Sequence, residues 1–252
     1  MGKKGLPVND GKVLKIIVPV QGSPEQAAQQ ARAATAAGAD VIEWRADLPG
    51  HEQVEAAKGA GIPTPGTIAK LRQATPLPIL GTVRSVSEGG TCAASSYDQA
   101  VRAVLEEGVD ALDVETARLM APDLVAAAKW RGIKVVGSFH DFQGTPTVDN
   151  MQEILRRQVY LGVDIAKIAV MPRTPADVIA LLQVVTWARQ QLPVPVIGIS
   201  MSELGKISRL WPPALGNYAT FASVGEVSAP GQFEISAILP LLRHFTADFV
   251  GK

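Results

Sequence analysis

The chain is expected to fold as one (β/α)₈ barrel of parallel strands over residues 1–252. Three observations predict it. Eight short β-branched or aliphatic runs alternate with alanine-rich or leucine-rich stretches that carry helix punctuation, the pattern of βα units around a parallel sheet. About 250 residues is the usual length of eight such units. Charged side chains fall on alternate positions near the carboxyl ends of the runs, where a barrel builds its active site. An open doubly wound sheet is the structural alternative. It usually carries fewer strands, and the Gly-x-Gly-x-x-Gly turn of its dinucleotide-binding versions is missing.

The elements follow in order. The first run, Lys15–Val20, is followed by Ser23-Pro24-Glu25-Gln26, which reads as an N-cap, an N1 proline and a capping-box glutamine opening a helix that Gly38 closes. The second run is Val41–Arg45. After it, Gly59, Gly61, Pro63, Pro65 and Gly66 break any long helix between Glu52 and Gln73, so this unit is the least regular. Ile79–Val83, Ala111–Glu115 and Lys134–Phe139 are the next three runs, with helices expected from Ser96 to Gly108, Pro122 to Gly132 and Thr147 to Gly162. Ile165–Val170 leads to a helix opened by Thr174-Pro175-Ala176-Asp177. Val196–Ser200 and Tyr218–Phe221 complete the eight.

Composition narrows the function classes. With 47% hydrophobic and 19% charged residues the chain can bury a full core, and its 24 basic and 24 acidic residues cancel, so no global field gathers nucleic acid or an anionic membrane surface. The lone Cys92 excludes an internal disulfide and a cysteine-built zinc site, which fits a reducing compartment. Met1 to Leu6 has no apolar segment after it of the kind a secretory signal carries, and no apolar run approaches a membrane span. A soluble cytoplasmic protein is expected.

Lys167 stands alone in the apolar run Asp164-Ile-Ala-Lys-Ile-Ala-Val-Met-Pro172. At pH 7 an unperturbed lysine is neutral in only about one molecule in a few thousand, and desolvation by neighbours such as Ile165 and Val170 raises that fraction. Lys167 is thus a candidate Schiff-base nucleophile. Strand alternation puts Val41, Glu43 and Arg45 on one face, and likewise Leu80, Thr82 and Arg84; Val136, Ser138 and His140; Ile165, Lys167 and Ala169. Asp113 and Glu115 end the fourth run and Met201 follows the seventh. Each has an ordinary structural reading: a snorkelling lysine, a hydrogen-bonded histidine, a Glu43–Arg45 ion pair. Their joint placement inside one barrel mouth is too costly for stability to be accidental, and implies that they bind or transform something polar. His51 and His244 are assigned no role. Gly198 to Lys206 has the wrong spacing for a phosphate loop, and Asp110, Asp113 and Glu115 lack a nearby histidine, so a role orienting Lys167 or His140 is favoured over a divalent-cation site.

A neutral amine attacking a ketone gives an iminium that acidifies the adjacent carbon without metal or organic cofactor. This needs a lysine pKa lowered by roughly three units, about 4 kcal/mol, from apolar walls and from the guanidinium groups of Arg45, Arg84 or Arg209. His140 on the neighbouring strand is the natural base for the α-proton and can return it to a leaving hydroxyl. Arg209 is suited to an anionic substrate.

Glu43-Trp-Arg-Ala-Asp47, Thr82-Val-Arg-Ser85 with Glu88-Gly-Gly90, Ser138-Phe-His-Asp-Phe142, Lys167-Ile-Ala-Val-Met-Pro172, Ile199-Ser-Met-Ser202 with Ile207-Ser-Arg-Leu210, and Ala219-Thr-Phe221 with Ser228-Ala-Pro-Gly-Gln232 resemble type I 3-dehydroquinate dehydratase, in order and with similar spacing. The resemblance implies a TIM barrel that dehydrates 3-dehydroquinate to 3-dehydroshikimate on the shikimate route to aromatic amino acids. It implies that Lys167 forms the imine at the C3 ketone, that His140 removes the C2 proton and assists loss of the C1 hydroxyl, and that Glu88 orients or tunes His140. Arg209 is implied to hold the ring carboxylate, Glu43, Arg45 and Arg84 the hydroxyls and carboxylate region, and Met201 to pack beside the imine. Ser228 and Gln232 are implied to close over the substrate. No cofactor is implied. Members are often dimers, so a homodimer is allowed, although no surface patch is diagnostic of one. Pro19 stands where some members have serine and is assigned no contact. Trp211-Pro-Pro213 and the Gly59–Gly66 stretch also depart from the pattern, which leaves helix lengths open. The competing activity is a Schiff-base class I aldolase on the same barrel, which would share Lys167 but want a glycine-rich phosphate pocket after strands seven and eight. A non-catalytic acid-binding barrel fits poorly with retention of both Lys167 and His140.

Overall fold

The computed structural model describes residues 5–6, 13–48, 63–225 and 231–249, and for 244–249 the backbone alone. The elements are β1 (Lys15–Val20), α1 (Pro24–Ala37), β2 (Val41–Arg45), α2 (Thr67–Ala74), β3 (Ile79–Thr82), α3 (Tyr97–Glu106), β4 (Ala111–Glu115), α4 (Ala121–Trp130), β5 (Lys134–Asp141), α5 (Val148–Tyr160), β6 (Ile165–Val170), α6 (Pro175–Gln191), β7 (Val196–Ser200), β8 (Ala219–Ser223), β9 (Phe233–Glu234) and α7 (Ile235–Phe249). Short 3₁₀ turns at Val86–Glu88, Lys206–Leu210 and Pro213–Leu215 lie in the loops. Among these residues no helix is long and apolar enough to cross a membrane.

Local chemistry sets the helix ends where the sequence places them. The Ser23 hydroxyl accepts from Gln26 N while the Gln26 carboxamide accepts from Ser23 N, and Gly38 closes α1 in the left-handed region. At α6 the Asp177 carboxylate accepts from the amides of Arg173 and Thr174.

Strand order runs β7-β6-β5-β4-β3-β2-β1-β8-β9, with every named pair parallel. The order never reverses, so there is no switch point of the doubly wound kind. Closure comes from a parallel bridge between Val196 and Asn217, where Tyr218 N donates to Val196 O at 2.8 Å and Gly198 N to the Asn217 side chain at 3.0 Å. That bridge engages Tyr218 ahead of the eighth strand, which therefore runs Ala219–Ser223 rather than Tyr218–Phe221. β3 ends at Thr82, one residue short of expectation, and β5 runs on to Asp141, because Asp141 still pairs with Val170 of β6. The two-residue β9 is too short to leave a periodic signal. Most of the irregular second unit, residues 49–62, lies outside the described residues, as does His51; α2 begins directly after Gly66.

Two apolar layers result. Ile42, Trp44, Val114 and Ile168 pack outward against helix residues such as Ala31, Leu124, Leu155 and Leu181. Ile17, Val41, Leu80, Ala111, Val136, Ile165, Ile197 and Ala219 point inward and fill the barrel below its polar end. A packed floor of this kind excludes water from one side of whatever sits above it.

Candidate active site

Above that floor lies a cavity of about 160 Å³ at the carboxyl ends of the strands. Glu43, Arg45, Arg84, Glu88, His140, Lys167, Met201, Arg209 and Gln232 all line it, so nine of the ten residues expected to act on or bind the substrate converge on one space. The tenth, Ser228, lies outside the described residues. Pro19, assigned no contact, also lines the wall.

Lys167 is 4% exposed. Its Nζ lies 3.6 Å from Asp113 Oδ2 and 4.3 Å from the centroid of the Phe221 ring. Burial pushes its pKa down, Arg84 and Arg45 add to that, and Asp113 and Glu43 pull the other way. The expectation that apolar walls and guanidinium groups act together thus omits an opposing carboxylate. Asp113 itself is fully buried and held below the usual carboxylate range: burial works to raise it, but Arg84 at 2.9 Å, Lys167 and the Ser138 hydroxyl at 2.6 Å prevail. Ser138 also accepts from Arg84 Nη1 at 2.8 Å, so one hydroxyl bridges the acid and the guanidinium.

The other acids find separate partners. Asp110 pairs with Arg72 toward the other end of the strands, while Glu115 accepts from Ser85 N, Ser85 Oγ and Arg118. Arg45 forms a bidentate pair with Asp47, at 2.9 and 2.8 Å, and not with Glu43, whose Oε1 accepts from Thr82 Oγ1 at 3.0 Å. Arg45 is therefore pre-aimed by Asp47, which sequence alternation could not show because Asp47 lies beyond the strand. Phe221, Phe142 and Ile199, which the charged positions did not flag, supply apolar wall beside Ala169, which alternation had placed on the Lys167 face. Phe221 had a signal, since it shares the inward face of β8 with Ala219.

His140 and Lys167 sit on adjacent strands in defined register. Ser138 is opposite Lys167 and Ala169 opposite His140, so the imidazole stands one pleat above the amine. With strands about 4.8 Å apart and a rise of about 3.3 Å per residue, their Cα atoms lie roughly 8 Å apart, and both side chains line the same cavity. The imidazole is held well below its usual pKa by burial first, then by the Arg84, Lys167 and Arg45 charges. All of these influences favour the neutral ring. Its Nδ1 lies 2.8 Å from Glu88 Oε2.

Glu88 reaches His140 because the chain turns sharply after it. Gly89 adopts φ +82° above the Phe142 ring, and a Cβ at Gly90 would collide with the Arg84 carbonyl. Two successive glycines are what this turn requires. Burial pushes the Glu88 carboxyl up to about 8, against the pull of Arg84 at 3.5 Å. A carboxyl whose folded pKa exceeds its unfolded value, near 4.5, binds more protons when folded between those limits, so its contribution to stability is lost as pH rises from about 4.5 to about 8. Glu88→Gln removes this titration. Its melting temperature relative to the parent is expected to climb by several degrees from about pH 5 to about pH 8.5; a pH-independent difference would contradict the assignment.

The family model for type I 3-dehydroquinase matches residues 16–248. The 3-dehydroquinate dehydratase of Lactiplantibacillus plantarum is 41% identical over 215 residues, covering 82% of each chain. The crystal structure of 3-dehydroquinate dehydratase from Geobacillus kaustophilus superposes with a TM-score of 0.84 at 32% identity, over 93% of this chain and 92% of that one. A type I 3-dehydroquinate dehydratase from Clostridium difficile, solved with covalently modified comenic acid, superposes with a TM-score of 0.83 at 31% identity, over 98% and 99% of the two chains.

Proposed function

Because the chain belongs to the type I 3-dehydroquinase family, a family of hydro-lyases, we propose that it dehydrates 3-dehydroquinate to 3-dehydroshikimate through a Schiff base on Lys167, with His140 as general acid and base. The product stands on the shikimate route to aromatic amino acids. The observation that carries the mechanism is a buried amine and a buried imidazole lining one cavity, one pleat apart on adjacent strands.

The amine adds to the C3 ketone, and loss of water from the carbinolamine leaves a positively charged iminium. Burial favours the neutral amine that must attack, whereas Asp113 and the Phe221 face favour the cation that follows. The two influences act on successive states of one nitrogen. His140 takes the C2 proton, the electron pair flows into the iminium to give an enamine, and its return expels the C1 hydroxyl as water with a proton from the imidazole. Hydrolysis of the conjugated iminium frees the enone and restores Lys167. One molecule of water is lost overall.

Glu88 and His140 share a proton along their 2.8 Å bond. With the carboxylate ionised, Nδ1 donates to it and Nε2 is free as a base; with the carboxyl protonated, it donates to Nδ1 and Nε2 carries the proton as an acid. A carboxyl pushed up to about 8 is poised for both. Covalently modified comenic acid in the Clostridium difficile relative supports covalent capture of a cyclic keto acid in a barrel of this kind.

Arg209 lines the cavity and is 1% exposed, and burial pushes its pKa down to about 10; a ring carboxylate beside it would favour the charged form. Arg209→Ala is expected to raise KM about 10- to 100-fold with little change in kcat, since a charged hydrogen bond made alike in ground and transition states is uniform binding. Unchanged steady-state kinetics would remove Arg209 from the site. The function itself is tested by incubating the protein with 3-dehydroquinate and following the ultraviolet absorbance of the conjugated enone acid. No absorbance, together with aldol cleavage of a phosphorylated sugar, would favour the aldolase.

A further inference from the structure

We propose that Gln158, on the helix layer outside the barrel, is a positioning residue for Lys167, an inference that rests on the Schiff-base reading of that lysine. Gln158 is 0% exposed and continues the buried stripe of α5 after Met151 and Leu155, a place where an aliphatic side chain would be expected. Its carboxamide grips the backbone of Lys167 on both sides of the Cα. Lys167 N donates to Oε1 at 3.1 Å, and Nε2 donates to Lys167 O at 3.0 Å. The same Nε2 lies 3.2 Å from Thr116 Oγ1, which donates to Ser138 O at 3.0 Å.

The chain Lys167–Gln158–Thr116–Ser138 thus ties together the row in which Glu115, Ser138 and Lys167 stand side by side across β4, β5 and β6. On the inner side of that row, Ser138 and Lys167 both contact Asp113. Asn217 holds both peptide groups of Gly198 in a similar way where β7 closes on β8, so the fold uses a carboxamide as a splint between strands. On β6 the splint falls on the nucleophile. A lysine side chain has about 2 kcal/mol of rotamer entropy, so the placement of its amine depends on a fixed Cα. A displacement of about 1 Å costs about 100-fold in rate when the reacting atoms must meet.

The test uses two substitutions in the full chain. Gln158→Met keeps the bulk and removes both bonds: kcat per folded molecule is expected to fall about 10- to 100-fold, KM to stay within about twofold, and the rate of borohydride trapping with 3-dehydroquinate to fall in parallel with kcat. Gln158→Glu can replace both bonds only when its carboxyl is protonated, so its kcat relative to the parent should recover toward acid pH and decline as pH rises, with the folded fraction followed by near-ultraviolet circular dichroism. If Gln158→Met does not fold, the pH dependence of Gln158→Glu decides. A kcat per folded molecule within about twofold of the parent at every pH would overturn the proposal, whatever the change in melting temperature. If the parent is trapped on Lys167 while the variants behave as parent, the positioning role alone fails. If the parent gives no Lys167 adduct, the Schiff-base reading fails instead.

Discussion

Lys167→Ala is expected to lower kcat by roughly 10⁵-fold or more, the scale on which removal of a covalent nucleophile acts. The size of the loss separates two roles. If Lys167 were only a cation holding the substrate, its removal would forfeit a charged hydrogen bond, about 1.5–3 kcal/mol, and appear mainly as a 10- to 100-fold rise in KM. The variant should also stay folded, because Asp113 retains Arg84 at 2.9 Å and the Ser138 hydroxyl at 2.6 Å and is not left as an unpaired buried charge. Steady-state kinetics with a thermal melt checks both expectations. A loss below about 100-fold in a folded variant would show that the amine is not the nucleophile.

His140→Ala is expected to lower kcat by about 10³-fold or more while leaving imine formation intact. General acid–base catalysis is typically worth about 10²- to 10⁴-fold, and the imidazole is asked to act twice, on the C2 proton and on the departing hydroxyl. The variant should therefore accumulate a substrate adduct that the parent consumes. Rapid-quench mass spectrometry with borohydride measures it directly, and near-parental turnover would end the general-base assignment. Because burial and the neighbouring cations hold His140 well below its ordinary pKa, the acid limb of the parent's pH profile assigned to this group should lie below about 6.5. In the variant that limb should vanish.

Much of this was legible in the chain because a barrel writes its plan in short apolar runs. Five of the eight predicted runs coincide with the strands, including Ile165–Val170 around Lys167, and period-two alternation put Glu43 and Lys167 inside such runs, and Arg84 and His140 one residue past the ends of two others, on the inward face. What alternation cannot supply is pairing between side chains from different strands. That Asp113 rather than Asp110 meets Lys167 depends on the register of β4, β5 and β6, and that Arg45 takes Asp47 rather than Glu43 depends on a turn after β2. Gln158 was passed over for a related reason: a glutamine on a helix reads as surface until the helix is docked and its side chain is seen to meet β6. The extension of β5 to Asp141 is likewise a consequence of β6, since a histidine and an aspartate end no apolar run by themselves.

The central claim is that the nitrogen of Lys167 becomes covalently bound to the C3 carbon of a cyclic keto acid. Its most direct test is to reduce the protein with borohydride in the presence of 3-dehydroquinate and map the modified peptide by mass spectrometry. The account predicts one stable adduct, on Lys167, in the parent and in His140→Ala, and none in Lys167→Ala. An adduct on another residue, or none from protein that is turning over substrate, would contradict it.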